Sequence, residues 1–150
     1  NTDFLKVRFS SRFRNLLILA TLLTLFQIIT GTQVREQVDH LNEAGISRGN
    51  WIESLDWQFY FHRSFSIVVL IINAWLWWQN QKLSAGFKEM NGVMILIVAE
   101  ILLGVILNYT GMPAWAQPSH LLLATVLFAF QGFALVRMAL ADRFRVIVVK

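Results

Sequence analysis

The chain has no cysteine, so it forms no disulfide and offers neither a thiolate metal ligand nor a Cys nucleophile. Charge is scarce too. Only 15% of its 150 residues are Asp, Glu, Lys or Arg, against about 25% in soluble domains. Prolines number two, and both fall in one short segment. Apolar side chains make up the difference: 56% of residues are hydrophobic, with twelve Phe and six Trp, and the mean hydropathy is +0.54. A soluble domain of this length has too little interior to hide that much apolar side chain. The composition excludes a soluble globular domain, a disordered tail and a secreted disulfide scaffold. The net charge of +4 and a pI near 10.0 leave nucleic acid as a possible partner until the charges are placed.

Four apolar runs organise the chain. Leu16 to Val34 carries no charge over about 19 residues, or about 28 Å of helix, close to the hydrocarbon thickness of a bilayer. The first run lacks a small-x-small cleavage site before Arg35 and is too long for a signal-peptide core, so it reads as a span. A second run lies between Arg63 and Lys82 and ends in Trp75, Trp77 and Trp78. A third extends from Asn91 to Tyr109 with one charge, Glu100. Gly111, Pro113 and Pro118 then mark a tight connection, with Pro118 suited to the first turn of a fourth helix ending near Met138. The pattern predicts an all-α transmembrane four-helix bundle, with helices at about 15–34, 61–81, 91–109 and 118–138, forming one domain over 1–150.

Charge placement orients it. Lys6, Arg8, Arg12 and Arg14 precede the first helix, Lys82 and Lys88 lie between the second and third, and Arg137, Arg143, Arg145 and Lys150 end the chain. Arg35, Arg48 and Arg63 lie on the other side, diluted by Glu36, Asp39, Glu43, Glu53 and Asp56. The positive-inside rule makes both termini cytoplasmic and turns about 35–61 and 110–117 outward. The expected home is a bacterial cytoplasmic (inner) membrane. The high pI is then a topological signature, and no basic face with stacking aromatics remains for nucleic acid.

Three histidines occur. His40 reads as a solvated residue of the outer loop. His62 and His120 open the second and fourth helices, both of which run inward from the outer face, so the two imidazoles begin at similar depth. Two readings stand: each hydrogen-bonds at the water interface, or the pair holds one metal or haem iron between helices. Zinc normally takes a third or fourth ligand, and no compact cluster accompanies the pair. Haem needs two axial ligands and an apolar box. Arg63 and Arg35, at the same rim, suit haem propionates, or else anchor the interface and pair with nearby acids.

The first and third helices echo one another. Gln27-Ile28-Ile29-Thr30-Gly31 and Glu100-Ile101-Leu102-Leu103-Gly104 share the form polar-x-x-x-Gly, with glycine permitting close helix approach. The chain thus reads as two similar helix pairs related by an axis along the membrane normal. Glu100 is either a proton relay or a neutral acid bonded to a neighbouring helix.

These residues resemble the haem A synthase family. Phe26 to Arg35 is similar to its Gln-x-x-x-Gly-x-x-Val-Arg segment, and His62-Arg63 to its His-Arg pair. Glu100 to Gly104, then Gly111-Met-Pro and the segment to His120 and Ala124, are similar to its Gln-x-x-x-Gly, Gly-Leu-Pro and outer-end His segments. The set covers most of the chain in order. The resemblance implies a membrane oxidoreductase of terminal-oxidase assembly, which oxidises the methyl group of haem O to the formyl of haem A. Its usual members have eight helices in two similar halves, one for the substrate haem and one for a haem b cofactor. The substrate half carries a Glu three residues before its His-Arg pair, where this chain has Phe59, and often a Cys pair, where this chain has none. The resemblance therefore points to the C-terminal, cofactor half. On that basis His62 and His120 are the axial ligands of haem b, with Arg63 and Arg35 beside them, and no catalytic residue is assigned. Glu100, where the family often has Gln, is a departure.

The partners this implies are the bilayer, haem O and haem A as substrate and product of the complete enzyme, an N-terminal half or another protomer, and haem O synthase as a candidate. The chain begins with Asn1 rather than Met, and its length suits one haem-holding bundle rather than a whole synthase, so a domain of a longer protein is expected. The alternatives are a stand-alone membrane cytochrome b for electron transfer and a haem-free membrane scaffold.

Overall fold

Ser10 sets the first helix: its hydroxyl accepts from the Phe13 N–H at 3.2 Å, an N-cap that satisfies one of the orphan donors of the first turn. In the computed structural model, which describes Val7 and residues 9–148, that helix is α1, Ser11–Glu43. Two single 3-10 turns follow at Arg48–Asn50 and Ile52–Ser54. Then come α2 (Trp57–Lys82), α3 (Glu89–Tyr109) and α4 (Ala116–Val148), with no strand among the described residues. All four helices are long and apolar enough to cross a membrane.

The helices form a ring. α1 packs on α2 and α4, and α3 packs on α4 and α2. Arg14 near the start of α1 meets Asp142 near the end of α4 at 3.1 Å, so the start of α1 and the end of α4 lie at one end of the bundle, the terminal end. Lys6, Arg8 and Lys150, counted among the basic residues of that end, lie outside the described residues, as does the side chain of Arg145.

Two apolar clusters hold the ring. One, at the terminal end, gathers Phe13, Leu17, Leu76, Phe87, Met90 and Met138. The other, at the opposite end, joins Val34 and Val38 of α1 to Trp51, Leu55, Phe59 and Met112. Large apolar side chains such as Leu22, Ile67, Ile71, Ile95, Leu102 and Leu122 face outward. An apolar exterior of this extent is what a lipid-facing bundle presents.

The expected spans are shorter than the helices, for identifiable reasons. α1 does not stop at Val34. Val38 and Leu41 continue its apolar stripe onto the second cluster, and Arg35 pairs with Asp39 one turn on, at 3.0 and 2.7 Å. The stretch read as outer loop from 35 is therefore helical as far as Glu43, and His40 sits on that helix, exposed. α2 starts at Trp57, not 61, because Phe59 is drawn into the same cluster. α4 runs past 138, since Met138 and Ala141 are buried in the first cluster and Asp142 pairs with Arg14.

The α2–α3 turn is pinned by Asn80, which accepts from the Phe87 N–H at 3.1 Å and donates to the Phe87 carbonyl at 3.0 Å. Gly86 takes φ +85° there, a value that costs a side chain-free residue nothing. The α3–α4 turn matches the Gly/Pro signal, with Gly111 at φ +70° and Pro118 in the first turn of α4. Gln117 and Arg48 both donate to the Met112 carbonyl, at 2.9 and 3.3 Å, tying this turn to the segment after α1.

Candidate functional site

His62 lies in the second turn of α2 and His120 in the second turn of α4. Their register turns both rings inward, where the centroids stand 6.4 Å apart with planes at 84°. The two clusters described above close the ends of a cavity of about 1000 Å³ that both rings line. Its volume is at the upper end of the range for small-molecule and cofactor pockets, about 300–1000 Å³.

Each ring rests on the polar-x-x-x-Gly segment of the preceding helix. A Cβ on Gly31 would stand 3.0 Å from His62 Cε1, and one on Gly104 would stand 4.0 Å from His120 Cε1. Both glycines therefore leave room for an imidazole rather than for another helix backbone, which corrects the expectation of close helix approach.

The hydrogen bonds around His62 select a tautomer once the Thr30 hydroxyl is assigned as donor to the Gln27 carbonyl. The Thr30 hydroxyl donates its single proton to the Gln27 carbonyl at 2.9 Å. Its oxygen can then only accept from His62 Nδ1, 3.1 Å away. With that assignment Nδ1 carries the ring proton and Nε2 is the acceptor nitrogen. The Gln27 amide supports this, since it donates to the His62 carbonyl at 2.9 Å and lies 3.4 Å from Nε2. A neutral imidazole with Nδ1–H bonded and Nε2 free is the form that ligates iron.

His120 is set differently. Its Nδ1 is 2.9 Å from Glu100 Oε2, yet the contact lies off the line of a hydrogen bond, and both His120 Nδ1 and Glu100 Oε1 are buried without a hydrogen-bond partner. Gln27 Oε1 and Gln117 Oε1, in the same cavity, are also unsatisfied. Four orphaned polar atoms around one cavity are unusual, because buried polar groups are nearly always paired.

The residues fit a haem. A ligating imidazole nitrogen sits about 2 Å from its metal, so two rings on opposite sides of one ion have centroids about 6 Å apart; the observed 6.4 Å agrees. The walls are apolar, with Val69, Ile97, Ile101, Val105 and Leu127 among them. No group of three His, Cys, Asp or Glu that could hold a bare ion occurs among the described residues.

Arg35 and Arg63 both line the cavity. Arg35 is held by Asp39, and Arg63 lies over the Phe59 and Tyr60 rings at 5.8 and 5.5 Å. Reading the sequence for side-chain types missed two contributors. Arg48 also lines the cavity, stacked on Trp51 at 4.8 Å; as a loop charge it carried no signal beyond its sign. Thr30 was missed although it stands one residue before Gly31, where a hydroxyl between Gln and Gly was the available cue. Phe59, three residues before His62, is buried in the outer cluster and also faces the cavity. His40 takes no part: it is exposed, 4.0 Å from Glu36 and 3.8 Å from Glu43.

Searches among curated proteins and among solved structures return no match. A family model described as cytochrome oxidase assembly protein matches residues 1–131, which takes in α1 to α3, the first half of α4 and both cavity histidines. The chain belongs to the COX15-CtaA family of cytochrome oxidase assembly proteins.

Proposed function

We propose that this chain is the haem b-binding half of a haem A synthase, with His62 and His120 as the two axial ligands. The observation that carries this reading is the pair of imidazoles 6.4 Å apart in one cavity, contributed by two different helices. His62 and His120 would hold the haem, which would supply electron transfer there rather than oxidation of a bound substrate. The chain's own residues do the rest. Thr30 keeps the proton on His62 Nδ1. Gly31 makes space for the His62 ring. The guanidinium groups of Arg35, Arg48 and Arg63 stand at the cavity, where the carboxylates of a haem edge would pair with them. Aliphatic side chains such as Val69, Ile97, Ile101 and Leu127 supply the apolar part of the wall.

In this reading, oxidation of the haem O methyl group to the formyl of haem A takes place elsewhere, in an N-terminal half or another protomer. Phe59 supports that division, since an apolar ring occupies the position of the resembling family's substrate-half carboxylate. Haem O synthase is the proposed supplier of substrate. The proposed setting is a bacterial cytoplasmic membrane, with the terminal end of the bundle inside.

Absorption spectroscopy of the purified chain tests the reading. A low-spin haem b spectrum is expected, and His62→Ala or His120→Ala should each abolish it. Retention of the spectrum in both variants would overturn the ligand assignment. A chain with no Soret band after expression with ample haem would be a haem-free scaffold. One observation favours a second reading, a stand-alone four-helix cytochrome b: Phe59 leaves no carboxylate at that position beside His62. It predicts the same spectrum in a gene that encodes no second four-helix half.

A further inference from the structure

α1 and α3 present the same register of residues to a histidine of the next helix, with different chemistry. On α1 the register reads Gln27, Thr30, Gly31; on α3 it reads Glu100, Leu103, Gly104. Leu103 has no hydroxyl, so α3 lacks any counterpart of the acceptor that Thr30 gives to His62 Nδ1. The acceptor is supplied one turn earlier instead. Glu100 Oε2 stands 2.9 Å from His120 Nδ1, and both side chains are largely buried, 14% and 26% exposed. The glycine clearances agree with this exchange. His120 Cε1 is 4.0 Å from a Cβ on Gly104, against 3.0 Å for His62 and Gly31. The His120 ring thus stands farther off its backing helix, within reach of the longer acidic side chain.

We propose that Glu100 is the positioning residue of His120, its carboxyl oxygen accepting the Nδ1 proton so that Nε2 is left bare for the ligand. This rests on the haem reading above. His120 Nδ1 and Glu100 Oε1 are both buried without a hydrogen-bond partner, and leaving such atoms unpaired in apolar surroundings is costly. Contacts at bonding distance but off axis commonly align only when the ligand is in place. An outer partner on the second ring nitrogen fixes tautomer and orientation, and its loss typically weakens binding ten- to a hundred-fold.

Haem titration and electron paramagnetic resonance of the ferric chain test it. Glu100→Leu is expected to bind haem about ten- to a hundred-fold more weakly, with altered low-spin g values. Glu100→Gln, which keeps an acceptor oxygen, should stay close to the parent in affinity. Glu100→Gln thus acts as the conservative rescue, which a merely unstable site would not show. Unchanged affinity and g values in Glu100→Leu, or an equal loss in Glu100→Gln, would overturn the role of Glu100 alone. A parent chain that binds no haem would overturn the haem reading and this inference together.

Discussion

Gly31 is the tighter of the two cavity glycines, because a methyl there meets His62 Cε1 at 3.0 Å while the same change at Gly104 meets His120 only at 4.0 Å. The two glycines occupy equivalent positions but tolerate different things. Gly31→Ala should push the His62 ring out of line with Thr30 and lower the haem-to-protein ratio of the purified chain. Gly104→Ala should leave that ratio close to the parent's. Equal losses in both would mean that the glycines serve helix packing rather than ring clearance. At this scale the histidines and their polar-x-x-x-Gly partners were legible in the sequence, since residue type and spacing alone bring them out. Thr30 and Arg48 were not. A threonine in an apolar helix and an arginine in a polar loop are ordinary in sequence and gain meaning only from what lies across from them.

Among the helices, α3 and α4 are locked at the terminal end by Arg137 and Glu89. Arg137 Nη1 bonds both Glu89 oxygens, 2.6 Å from Oε2, and its Nη2 donates to the Gly86 carbonyl at 3.0 Å. Both side chains are about nine-tenths buried. Removing one partner of such a pair strands the other charge, at a cost of about 3–5 kcal/mol, whereas replacing both by apolar residues is often close to neutral. Arg137→Met should therefore lower the thermal midpoint of the detergent-solubilised chain, and Arg137→Met with Glu89→Met should recover most of the loss. A double variant no more stable than the single one would show that the pair does not act as a unit. Helix number and order were readable from the apolar runs. Helix ends were not, because α1 continues through nine residues of mostly polar sequence, 35–43, that are held by contacts with Trp51, Leu55 and Met112.

The described residues form a four-helix ring with an apolar exterior and a largely apolar cavity, with charged groups among its lining, near the end opposite Arg14 and Asp142. The absence of cysteine makes its sidedness directly measurable. Ser84 in the α2–α3 turn and Gly49 in the loop after α1 are exposed at opposite ends of the bundle. With a membrane-impermeant thiol reagent on intact cells, Gly49→Cys should label from outside, and Ser84→Cys only after lysis. The reverse pattern would invert the proposed orientation.

What the sequence determined by itself follows from physics that is local along the chain. Four spans emerge because about 20 apolar residues cross a bilayer as helix whatever their neighbours do. The proposed orientation rests on the same kind of local signal, basic residues concentrated at alternate ends of those spans. The haem A synthase resemblance and the histidine pair rest on ordered short motifs. Only the tertiary structure decided how the two rings stand to each other, 6.4 Å apart. It alone showed that α1 backs His62 with a hydroxyl while α3 backs His120 with a carboxylate. Those relations depend on how four helices are rotated about their axes, and rotation is set by packing between residues far apart in sequence. A hydropathy pattern fixes where a helix runs, but a 1 Å difference in ring clearance comes only from the side chains that surround it.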